Sequence, residues 1–122
     1  MNIEEKIDLV LVLVSILTFI FTINALINIK ANLFTGMIHS AIERLDKLDS
    51  LGQYDLMLEK VEHYINRYPN ELSFKWRKAR ALYKVEKFEL AKEAFLSIAD
   101  SEPSCKEDAE QYIENINSKL NI

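Results

Sequence analysis

The chain opens apolar and turns amphipathic. The stretch Leu9 to Ile29, between Asp8 and Lys30, holds no charge, and fifteen of its members are Leu, Ile, Val or Phe. As a helix this stretch rises about 32 Å, close to the ~30 Å thickness of a bilayer's hydrocarbon core. At roughly −0.3 to −0.6 kcal/mol each, those fifteen side chains favour insertion by about 5 to 9 kcal/mol, an upper figure because the scale applies at the bilayer centre. Ser15, Thr18, Thr22, Asn24 and Asn28 subtract from the sum without reversing it. A transmembrane helix is therefore expected over 9–29, within a helix spanning about Ile7 to Ile29.

A cleaved signal peptide and a buried core helix both fit the stretch less well. A signal peptide has a basic start, a shorter apolar core and small residues before the cut. Here the start is acidic (Glu4, Glu5, Asp8), and Ile23, Asn24, Ala25 puts a bulky side chain where a small one is preferred. A fully buried core helix would need wrapping on all sides, which the remaining residues hardly supply. The positive-inside count sets Lys30, Arg44 and Lys47 against Lys6, and leans towards a cytoplasmic C-terminal side. Ser15, Thr18, Thr22 and Ala25 share one helix face by their spacing, a candidate packing face in lipid. Hydroxyls on such a face also bond back to their own helix.

From residue 35 apolar positions recur at helical spacing. The pattern predicts helices over Thr35–Asp49, Gln53–Tyr68, Glu71–Val85, Phe88–Ser101 and Lys106–Leu120. Ser104 and Glu107 stand at capping-box spacing before the last, which carries Ala109, Tyr112, Ile113, Ile116 and Leu120 on one face. The segment 30–37 either breaks at Gly36 or carries the first helix on into the next.

A fixed interval runs through this part. Pro69 and Pro103 stand as far apart as Tyr54 and Phe88, Leu48 and Leu82, Leu56 and Leu90, Glu59 and Glu93, and Val61 and Phe95. The shared step is a 34-residue period, and in helical sequence it resembles the tetratricopeptide repeat. The second unit carries the resemblance best, through Trp76, Ala79, Leu82, Phe88, Ala91, Phe95 and Pro103. The first unit departs from it: Leu45 stands where a small residue belongs and Met57 replaces the alanine. Trp76 also falls one residue late against the proline register. The resemblance implies an all-α fold. A transmembrane helix precedes two tetratricopeptide-like hairpins (38–71 and 72–105), and a C-terminal capping helix follows at 106–122.

By the same resemblance, partners bind in the groove lined by the first helix of each hairpin. The second hairpin would present Ser73, Trp76, Arg80, Tyr83 and Lys84 there. Trp, Tyr and Arg dominate binding hot spots; the plainer expectation is that Trp76 and Tyr83 pack against hairpin one. Lys75 to Lys87 holds six bases, Lys75, Arg77, Lys78, Arg80, Lys84 and Lys87, against Glu86 alone. This basic patch suits an acidic peptide or anionic headgroups, or is simply a solvated helix face. Asp46 and Asp49 occupy the place of the asparagines that some family members use to clamp a carboxylate. That arrangement favours a partner of mixed charge.

Composition adds little chemistry. Gly and Pro number two each, which suits long helices and argues against a turn-rich β fold. The net charge is −4, so the basic excess of a general nucleic-acid binder is missing. Cys105 stands alone, and His39 and His63 have no neighbours at metal-ligand spacing. Neither catalysis nor a metal nor any other cofactor is expected. The expectation is a membrane-anchored adaptor that binds one or more protein partners, in a membrane complex or as a homo-oligomer, with lipid as its other contact. The alternatives are an accessory subunit held by its transmembrane helix and a small membrane regulator of the immunity type.

Overall fold

The computed structural model describes Met1–Asn121. The described residues are mostly helical, with no strand. Five α-helices follow in order: α1 (Ile3–Ser50), α2 (Tyr54–Arg67), α3 (Leu72–Lys84), α4 (Phe88–Ser101) and α5 (Lys106–Lys119), with a 3-10 turn at Pro103–Cys105 before α5. The chain divides into two compact units, Met1–His39 and Ser40–Ile122.

The first unit is the larger part of α1. Its N-terminus is closed by a reciprocal pair: the Asn2 side-chain oxygen accepts from the Glu5 N–H at 2.8 Å, and the Glu5 carboxylate accepts from the Asn2 N–H at 3.2 Å. This is a capping box, built by a cap residue and a glutamate three positions on. Helix α1 continues through Lys30 and Gly36 without a break, so the segment 30–37 joins the two stretches read separately from the sequence. No Pro lies within it, and Gly36 in a helix interior costs only about 1 kcal/mol relative to Ala. None of the most apolar 18-residue window is buried, and its mean hydropathy is 2.6.

The second unit is built on the repeat interval. Leu45 and Ala79, Met57 and Ala91, and Val61 and Phe95 are three pairs at that spacing, and all six side chains are fully or almost fully buried. The turns repeat as well. Gly52 (φ 70°) and Glu86 (φ 63°), one repeat apart, both adopt the left-handed conformation. In the first turn Gly52 N–H donates to Asp49 C=O and Gln53 N–H to Leu48 C=O; in the second Glu86 N–H donates to Tyr83 C=O and Lys87 N–H to Leu82 C=O. These are the crossed bonds of a Schellman helix end, which satisfy the last carbonyls. Backbones approach closely along α2–α3, α3–α4 and α4–α5, whereas α1 and α2 keep further apart. The difference follows side-chain size: Ala79 and Ala91 lie in the α3–α4 pair, Leu45 and Met57 in the α1–α2 pair.

A left-handed non-Gly residue is held against its own Cβ at about 1 kcal/mol or more. Glu86→Gly is therefore expected to raise stability by about 0.5–1 kcal/mol. Gly52→Ala should lower it by about 1 kcal/mol, although no neighbouring atom would meet the added Cβ. Urea titration followed by circular dichroism measures both.

The capping box expected at Ser104 and Glu107 is not formed. Pro103 opens a 3-10 turn that already includes Ser104, Cys105 takes the cap position, and no side chain caps α5. The Ser104 hydroxyl lies 4.0 Å from Cys105 Sγ instead.

Candidate functional site

Helix α3 carries every residue singled out for the groove, and its neighbours decide what each does. Trp76 is half-buried, with its ring edge-on to Phe95 of α4 (5.5 Å between centroids) and to Tyr112 of α5 (6.0 Å). Tyr83 meets Phe88 (5.7 Å) and Tyr112 (5.3 Å) in the same manner. Tyr112 stacks flat on Phe95 at 4.5 Å. Trp76 and Tyr83 thus join an aromatic cluster that locks α3, α4 and α5 together, each pair adding about 0.5–1.5 kcal/mol beyond area burial. The plainer expectation, packing, describes them, with their ring partners on the last two helices. Contact with the α1–α2 side falls to Phe74, fully buried and ringed by Tyr64 (5.4 Å) and Tyr68 (6.0 Å). Phe74 escapes a repeat-based reading because its counterpart one repeat earlier is Ser40.

The basic run separates into paired and unpaired members. Arg77 forms a two-pronged bond to Asp46 of α1, Nε to Oδ1 at 2.8 Å and Nη2 to Oδ2 at 3.2 Å, while its Nη1 donates to the Ser73 carbonyl at 3.1 Å. One turn further along both helices, Arg80 Nη2 lies 3.6 Å from Asp49 Oδ2. Lys78 pairs with Glu62 of α2. Both arginine pairs span the same sequence separation, 31, one helical turn short of the repeat, so they form a short ladder between α1 and α3. The acids and bases expected to offer two walls to a mixed-charge partner neutralise each other within the chain. Among the described residues Lys75, Lys84 and Lys87 form no ion pair, and all three are exposed.

Half-exposed pairs of this kind contribute less than about 1 kcal/mol each, screened by salt. Asp46→Ala is expected to cost no more than that, and a double-mutant cycle with Arg77→Ala should give a coupling of about 0.5 kcal/mol that fades in high salt.

On the N-terminal helix, Ser15 Oγ donates to Leu11 C=O (2.9 Å), Thr18 Oγ1 to Val14 C=O (2.8 Å) and Thr22 Oγ1 to Thr18 C=O (2.8 Å). Each hydroxyl on the candidate packing face is satisfied by its own helix, and Ala25 completes the face at the next turn. These bonds leave none of the three hydroxyl donors bare, which lowers the cost of placing these side chains in an apolar environment.

The surface also holds an open groove between α2, α3 and α4. It is lined by Leu58, Leu82, Leu90 and Ala94 together with Glu62, Lys78, Lys87 and Glu93. Among the described residues no group of three or more His, Cys, Asp or Glu side chains is gathered to hold a metal.

No family model, curated protein or solved structure matches the chain.

Proposed function

We propose that the chain is a single-pass membrane protein whose helical unit is a protein-interaction module of the tetratricopeptide kind. The observation that carries the membrane part is the exposure of the stretch Leu9–Ile29. Every one of its Leu, Ile, Val and Phe side chains is at least 39% exposed. Soluble monomers rarely leave apolar patches beyond a few hundred Å² in water. A hydrocarbon solvent covers such a surface on all sides, which a single partner groove does not.

The interaction part rests on the recurrence of buried positions and turns, one repeat apart, in α1–α4. Repeat units of this type cover their hydrophobic faces by stacking and leave side chains of the first helices at the surface. Because Trp76 and Tyr83 serve the aromatic cluster and Arg77 and Arg80 the ladder, the side chains left on α3 are Ser73 and Lys84 on one face and Lys75 on the opposite one. An acidic segment of a partner protein suits Lys84 with Lys87, three positions on and likewise exposed. In this reading the chain works as an adaptor that holds such a partner at the bilayer.

One observation favours a second reading. The internal use of the α3 side chains leaves little of the expected groove, which suits an accessory subunit whose transmembrane helix makes the main contact. Capture by full-length chain and by a 40–122 fragment separates the two. The adaptor reading expects the fragment to retain capture of the partner recovered with the full-length chain, and expects Lys84→Glu with Lys87→Glu to weaken it severalfold without changing helicity. Loss of capture by a folded fragment favours the accessory-subunit reading.

A further inference from the structure

The polar side chains within Leu9–Ile29 fall into two classes. Ser15, Thr18 and Thr22 each donate to a carbonyl of their own helix. Asn24 does not. Its side chain is exposed and forms no hydrogen bond among the described residues. At 100° per residue it also stands across the helix from Ser15, Thr18 and Thr22, so satisfied and unsatisfied groups mark different faces.

Depth makes the unmet amide costly. Asn24 stands five residues beyond Phe19, the middle of Leu9–Ile29. With that run centred in the bilayer, Asn24 lies about 7 to 8 Å from the mid-plane, and the edge of a ~30 Å core is about as far again. A side chain this short cannot carry its amide to headgroups or water, as a lysine would. Acyl chains offer it no hydrogen bond, and an unpaired amide in hydrocarbon is unfavourable. Asn28, one turn on, reaches the boundary and needs no such partner.

A heptad runs through Asn24. Val10, Leu17 and Asn24 are seven apart, and Leu13, Ile20 and Ile27 stand three after each, at the a and d places of a parallel helix pair. An apolar helix offers such a line on any face. Asn24 selects this one, because a lone asparagine at an a position fixes register and partner number. Helices in membranes commonly cross at the same shallow angle as coiled coils, and asparagines hydrogen-bond between them.

Lipid is excluded by depth, which leaves another membrane protein or a second copy. Chemistry favours the copy. A carboxamide both donates and accepts, so it pairs with its own kind, as no lysine or ionised aspartate does. Copies inserted by the same anchor run parallel and hold their Asn24 side chains at one depth.

We infer that Leu9–Ile29 dimerises in parallel along the line of Leu13, Leu17 and Ile20, with the Asn24 carboxamides of the two copies hydrogen-bonded to each other. This rests on the membrane reading above, so the purified full-length chain is first floated with phosphatidylcholine vesicles, and failure to float removes both. Energy transfer between copies labelled on Cys105 then measures association against lipid dilution. Asn24→Val should float as well as the native chain but associate about three- to thirtyfold more weakly, the range for one interhelical hydrogen bond. Asn24→Gln, which keeps the amide, should retain most of the association. In a Cys105→Ser background, oxidation should cross-link Leu17→Cys and Ile20→Cys copies severalfold faster than Ser15→Cys and Thr22→Cys copies. A chain that floats but stays monomeric at every dilution overturns the dimer in favour of another protein. Association untouched by Asn24→Val, or cross-linking fastest at Ser15→Cys and Thr22→Cys, overturns the contact assigned to Asn24.

Discussion

Phe95→Ala is expected to lower the stability of the helical unit by about 3–5 kcal/mol, enough to unfold much of it at ambient temperature. Phe95 is fully buried, stacked on Tyr112 and edge-on to Trp76, and it stands at the centre of the α3–α4–α5 contact. Truncation removes a whole ring and leaves a cavity that three rigid aromatic neighbours cannot readily fill. The equivalent position in the first unit is Val61, also fully buried. Val61→Ala deletes less and should cost about 1–2 kcal/mol. Urea titrations of both variants check the ranking, and loss of the near-ultraviolet signal of Trp76 should accompany the first. Equal losses at the two positions would mean that the aromatic cluster is not the tighter half of the core.

The second large effect concerns the anchor. Replacing Leu17 and Ile20 together by Arg is expected to release the chain from membranes. Each change turns a residue favouring insertion by about 0.5 kcal/mol into one opposing it by about 2.5–3.5 kcal/mol at mid-span. Two such changes cancel most or all of the roughly 5–9 kcal/mol upper figure for the apolar side chains. Leu17→Ala with Ile20→Ala, which keeps the helix and adds no charge, should leave the chain in the membrane. Fractionation of cells expressing the two double variants makes the comparison, and membrane retention of the arginine variant would place Leu17 and Ile20 outside the hydrocarbon.

Much of the helical layout was legible because periodicity and turn chemistry agreed. The bounds of α4, Phe88–Ser101, are those the pattern predicts, since Phe88 and the extended Glu102 before Pro103 mark both ends. The repeat interval reappears as paired buried positions and as paired left-handed turns, although only Gly52 announces its turn by residue type. Glu86 does not, and only its distance from Gly52 identifies it. At the other end, Asn2 and Glu5 had the spacing of a capping box and formed one. Ser104 and Glu107 had a similar spacing and did not, because Pro103 drew Ser104 into a 3-10 turn.

The candidate site was less legible, for a geometric reason. Periodicity shows which α3 residues share a stripe, but not which neighbour that stripe faces. The rotation of α3 sends Trp76 and Tyr83 towards Tyr112 and leaves Phe74 to meet Tyr64 and Tyr68. The pairing of Arg77 with Asp46 and Arg80 with Asp49 had a trace in sequence, two opposite charges at a shared separation of 31. That trace becomes meaningful only once α1 and α3 are known to run side by side there.

Alkaline carbonate extraction of membranes from cells expressing the full-length chain, followed by flotation of the pellet, bears most directly on the anchor. A helix embedded through Leu9–Ile29 keeps the chain in the floating lipid fraction, as no peripheral contact survives high pH. Recovery of folded full-length chain in the carbonate supernatant would contradict the account.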